Sequence, residues 1–106
     1  MFKVTSQPVF THTVRVQVPT NGDGHEVQSF KATFKVLPLE DEDAVPRNSK
    51  DVLLASVCGM SDLTDDNDEA LTYSEELRDQ MIALPYVRIA MFDAYVKGVS
   101  KAPAGN

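Results

Sequence analysis

Asp65, Asn67, Glu69 and Glu76 stand at the first, third, fifth and twelfth places of a calcium-loop pattern counted from Asp65. The ligand types suit a hard cation, which takes oxygen donors. The sixth place, where such a loop turns sharply on glycine, is Ala70, and no helical pattern precedes Asp65. A solvated acidic loop is therefore expected here instead of a metal site. Cys58 could act as a thiolate nucleophile if His12 or His25 took its proton. Its expected place at the end of a helix is the wrong one, because the negative end of the helix dipole disfavours a thiolate. Cys58 is read as a buried structural cysteine, His12 as half-buried and hydrogen-bonded, and His25 as an exposed turn residue. Neither histidine has a cysteine or carboxylate at ligand spacing, so no zinc site is expected. The acidic run at residues 40–43 reads as a solvated segment, since paired catalytic carboxylates need a cleft that separates their pKa values. Gly22 and Gly24 lack the following Lys-Ser/Thr of a phosphate loop. No enzyme activity, cofactor or metal is expected.

The elements that would position these residues can be read from periodicity. Phe10, His12, Val14, Val16 and Val18 alternate with Thr11, Thr13, Arg15 and Gln17, which is the period of a half-buried strand. Residues 19–24 contain Asn-Gly and Asp-Gly pairs that favour a turn. Residues 27–36 alternate again, with Phe30, Ala32, Phe34 and Val36 on one side. The pattern predicts an antiparallel hairpin with one apolar face. Two strands do not make a stable sheet alone, so helices must cover that face, and residues 2–5 are a candidate third strand. Residues 38–46, with two prolines and four consecutive acids, read as a linker.

Three helices are expected after it. Asn48 or Ser49 can cap the first, with residues 50–58 as its body and Gly59 as a left-handed C-terminal cap. Thr72 with Glu75 has capping-box spacing, and Ser74 is the alternative cap of the second. That helix should run to about Leu84 and bury Leu77, Met81 and Leu84. Pro85 suits the first turn of the third helix, where its missing N–H costs nothing. The fold class is α+β: an N-terminal antiparallel β-hairpin packed against about three C-terminal α-helices. A chain of 106 residues fits one domain, expected over 1–99, with 100–106 as a flexible tail.

The charge is concentrated. Residues 40–79 hold thirteen acids against three bases, and the whole chain has a net charge of −6. Nucleic acid is not an expected partner, because phosphate binding needs a clustered basic face. Apolar runs are too short to span a membrane, and the first residues lack the apolar stretch of a secretory signal. A lone cysteine and these features lead to an expected cytosolic location.

The third helix is apolar over most of its circumference. Val87, Ala90, Met91, Ala94, Tyr95 and Gly98 form one side, Ile89, Phe92, Val96 and Val99 another, and Arg88, Asp93 and Lys97 a narrow polar strip. The first side reads as core. Tyr86, Ile89, Phe92, Val96 and Val99 are the candidate partner-binding residues, since exposed aromatic and aliphatic side chains mark desolvated interfaces. Self-association is expected, through this helix or through a strand edge.

Residues 59–95 resemble the tail assembly chaperones of lambda-like siphoviruses, the long, flexible-tailed bacteriophages. Gly59, the acidic turn of Asp62 and residues 65–69, Ser74-x-Glu76-Leu77, Leu84-Pro85-x-Val87 and Ala90-x-x-x-Ala94-Tyr95 match motifs typical of that family. Phe30-x-Ala32-x-Phe34 resembles its N-terminal strand. Met60 departs from a usual tryptophan and Ala70 from a usual glycine. The resemblance implies a non-catalytic protein of the host cell cytoplasm, absent from the mature virion. It would bind the tape measure protein, keep it soluble, and help recruit the major tail protein. The alternative is a generic acidic adaptor domain with an unrelated partner.

Overall fold

A computed structural model describes residues 1–4, 8–37 and 49–100. The order of elements is β1 (Val9–Pro19), β2 (His25–Lys35), α1 (Ser49–Ser56), β3 (Val57–Ser61), α2 (Glu75–Ile82) and α3 (Pro85–Ser100). The fold is α+β: an antiparallel three-stranded sheet of order β1-β2-β3, with the hairpin at the N-terminus and three helices after it.

The hairpin follows its alternation. Val14, Val16, Phe30, Ala32 and Phe34 are buried, and they project from one face because successive side chains alternate. Register is continuous from Val9 opposite Lys35 to Pro19 opposite His25. Gly22, with φ of 89°, supplies the left-handed residue of the connecting turn.

The third strand departs from expectation. Phe2, Lys3 and Val4 are exposed and form no strand; Thr5 lies outside the described residues. The strand comes instead from Val57–Ser61, where the sequence pattern suggests the end of the first helix at Cys58, its cap at Gly59 and the start of the acidic connector at Ser61. That helix stops at Ser56. Val57 and Met60 then bury their side chains against the sheet, and the open edge of β2 gains hydrogen-bonding partners. Gly59 is a strand residue opposite Thr33, and a Cβ on it would meet Thr33 Cβ at 3.4 Å. Thr33 pairs with Gly59 while Phe34 pairs with Val57, so Cys58 is the extra residue of a β-bulge. The bulge turns Cys58 outward, and it is exposed, not buried as expected.

The second helix starts at its alternative cap. Ser74 Oγ accepts a hydrogen bond from Leu77 N at 3.0 Å. Its inner face is rotated from the expected Leu77, Met81 and Leu84. Ile82 is fully buried, Leu77 and Met81 are half-buried, and Leu84 is exposed. Arg78, one turn before Ile82, reaches α1, where Nη1 donates to Leu54 O at 3.4 Å. Burial opposes the Arg78 charge, but the adjacent Asp79, 3.0 Å away, outweighs it and the guanidinium pKa is raised. The 78/82 side therefore faces the rest of the molecule. Ser100, expected in the tail, is the last residue of α3.

The acidic connector between β3 and α2 closes on itself. Asp65 Oδ1 accepts from Asn67 N at 2.8 Å and from Glu69 N at 3.1 Å, and Thr64 bridges to Ala70. The Asp65 carboxylate thus faces backbone N–H groups. Among the described residues no group of three His, Cys, Asp or Glu side chains is arranged to hold a metal. The acidic run at residues 40–43 lies outside the described residues.

Candidate docking surface on the last helix

Leu84 O accepts hydrogen bonds from Val87 N at 3.1 Å and Arg88 N at 2.9 Å, which opens α3 with Pro85 in its first turn. The helix lies on β1. Val87, Met91, Ala94 and Tyr95 are buried in the shared core, as the sequence pattern predicts. Phe10 and Phe34 stack with ring centroids 5.3 Å apart, and Tyr95 meets Phe34 edge-on at 5.6 Å. Tyr95 Oη accepts from Leu37 N at 3.1 Å, tying the helix to the end of β2.

That inner face leaves the opposite side open. Ile89 is 71% exposed, Val96 40% and Val99 43%. Phe92 and Tyr86 are half-buried and pack partly on the core. Phe92, expected to project outward, therefore flanks the exposed stripe instead of standing on its crest. At 100° per residue, Ile89 and Val96 nearly superpose, with Val99 and Phe92 beside them. Arg88 borders the stripe on one side and Asp93 on the other. Asp93 Oδ2 holds Lys97 Nζ at 2.9 Å.

Two of the shallow grooves that adjoin α3 border the stripe. One, of about 520 Å³, runs between the helix and β1, where Ile89, Asp93 and Lys97 face Arg15 and Gln17. The other, of about 480 Å³, lies between the helices and is lined by Lys50, Leu54, Asp79, Ile82, Ala83 and Arg88. Neither gathers a nucleophile, a base and an orienting acid. His12 sits on β1, half-buried as expected, with its ring bonded to Thr13 O at 2.9 Å. A carbonyl can only accept, so His12 Nδ1 carries the hydrogen. His25 is exposed at the start of β2, and Cys58 is across the sheet on β3.

The free edge of β1 was legible only in part. Val36 N donates to Pro8 O and Thr20 N to Gly24 O, so even-numbered residues of β1 turn their backbone groups toward β2. The backbone groups of Val9, Thr11, Thr13, Arg15 and Gln17 therefore face the open edge. His12 covers one of them, the Thr13 carbonyl. Alternation identifies the two sets of residues, but strand order is needed to show which strand is the edge.

No helix among the described residues is long and apolar enough to cross a membrane. Comparison with protein-family models, curated proteins and solved structures found no match to this chain.

Proposed function

We propose that this chain is a non-catalytic tail assembly chaperone of a lambda-like siphovirus, which binds and solubilises the tape measure protein. The observation that carries the reading is the apolar stripe of α3, with Ile89 71% exposed on a helix whose other side is already packed in the core. A stripe of this kind covers the apolar side of another helix, and a long helical ruler protein would present many such sides. Help in recruiting the major tail protein belongs to the same proposal, as do action in the host cytoplasm and absence from the mature virion.

The family-like motifs occupy structural positions that support the reading. Ser74 caps α2, Leu84 and Pro85 form the step between α2 and α3, and Ala94 and Tyr95 seat α3 on the hairpin. The net charge of −6 suits a protein that must stay soluble while holding an apolar client.

Co-expression with a siphovirus tape measure protein tests the proposal. The ruler should move from the pellet to the soluble fraction and co-purify with this chain, and Ile89→Asp with Val96→Asp should reverse both effects. A ruler that precipitates equally with and without the chain would favour the adaptor reading, in which α3 serves an unrelated partner.

A further inference from the structure

The spacing of the α3 stripe carries a more specific conclusion. Ile89, Phe92, Val96 and Val99 are separated by three, four and three residues, the seam of a two-heptad coiled coil. Ile89 and Val96 fall at the a positions, and Phe92 and Val99 at the d positions. Ile89 and Val96 are both exposed, and they stand farthest from the buried face. Arg88 falls at a g position and Asp93 at the following e position.

We infer that α3 pairs with α3 of a second copy of this chain, parallel and in register, with Ile89, Phe92, Val96 and Val99 along the seam. The charges select this arrangement. In a parallel pair the g position of one helix faces the e position five residues on in the other. Arg88 then meets the partner's Asp93, and symmetry forms the contact twice. An antiparallel pair that sets Ile89 against the partner's Val99 would bring Asp93 close to the partner's Asp93, which is repulsive, and would leave Arg88 on the other side of the seam from both acids. Asp93 uses Oδ2 for Lys97 at 2.9 Å, and a carboxylate has a second oxygen to accept from another cation.

The open edge of β1 is the other place for a second copy. Antiparallel pairing there would leave both α3 helices on the same sheet face. Paired strands stand about 4.8 Å apart, whereas packed helices need about 8–10 Å. Since α3 lies over β1, that arrangement crowds the two helices.

This inference rests on the reading of the stripe as a docking face but not on the identity of its client. Pairing covers the stripe in the free protein, and a client helix of similar pattern would exchange with the second copy.

Sedimentation equilibrium of the full chain, in a Cys58→Ser background, should show a concentration-dependent monomer–dimer equilibrium. Ile89→Asp with Val96→Asp should weaken dimerisation by roughly tenfold or more, with an unchanged circular dichroism spectrum. Val96→Cys alone should form an intermolecular disulfide on mild oxidation, because identical a positions face each other in a parallel pair. A strict monomer at high concentration, or a dimer that survives the double substitution, overturns the inference. So does preferential crosslinking of Phe92→Cys to Val96→Cys, the antiparallel result. Co-expression with the ruler reads the client separately, so either reading can fail while the other stands.

Discussion

Phe10 lies against the backbone of Gly98, so closely that a methyl group on Gly98 would stand 2.6 Å from Phe10 Cζ. The aromatic ring of the first strand thus occupies the space that any larger residue near the end of α3 would need. This contact lets the helix settle onto β1 and brings Tyr95 to 6.1 Å from the same ring.

Gly98→Ala should destabilise the fold by about 1–2 kcal/mol, because overpacking outweighs the helix propensity gained. Urea denaturation followed by circular dichroism measures it. A variant more stable than the parent would show that α3 can lift from Phe10 at no cost.

Tyr95→Phe removes the hydroxyl that accepts from Leu37 N at 3.1 Å while leaving the ring among Phe10 and Phe34. A loss of about 1 kcal/mol is expected for a part-buried amide left without that partner. Hydrogen exchange at the Leu37 amide should speed up. Unchanged protection there would mean that the bond contributes nothing.

Ser74→Ala deletes the acceptor for Leu77 N, and an N-cap of this kind contributes about 1 kcal/mol. Ser74→Asp should restore most of the loss, because a carboxylate can also cap and suits the positive end of the helix. Equal thermal melting of the parent and the alanine variant would contradict the capping role.

Met91 and Ile89 sit two residues apart on one helix with opposite fates: Met91 is fully buried and Ile89 is 71% exposed. Met91→Ala should cost about 2–5 kcal/mol, whereas Ile89→Ala should change monomer stability by less than about 0.5 kcal/mol. Denaturation at low protein concentration separates the two. Similar losses would place Ile89 inside the fold.

Cys58 should react with a thiol reagent at the rate of an unfolded control, because the bulge holds it exposed on β3. Labelling seen only after denaturation would restore the buried placement that the sequence pattern suggests.

Much of this architecture is readable from local pattern. The alternation of Val14, Val16, Phe30, Ala32 and Phe34 specifies the hairpin face, since a period of two admits one buried side. Pro85 marks the start of α3 because its ring cannot continue a preceding helix. Met91 and Tyr95 share the buried face of α3 because they are four residues apart. The stretch from Val52 to Met60 is different. Its apolar residues suit either a helix or a buried strand, and periodicity alone does not divide them. The unpaired edge of β2 divides them, by offering hydrogen bonds from Val57 onward.

The candidate site shows the same division. That α3 has more apolar surface than one core can use is a property of its residue order. Which of those residues remain outside is not, because exposure depends on neighbours brought from far along the chain. Phe92 turns partly inward against the core, Leu84 is left exposed and Ile82 replaces it. The sequence by itself determined the hairpin, the break at Pro85 and the helical periodicity of the stripe, since each depends on neighbouring residues, and it left Thr72 and Ser74 as alternative caps of α2. Only the tertiary structure decided the third strand, the outward Cys58, the rotated α2 and the crest at Ile89 and Val96. Those depend on hydrogen-bond partners and packing surfaces supplied by residues distant in sequence.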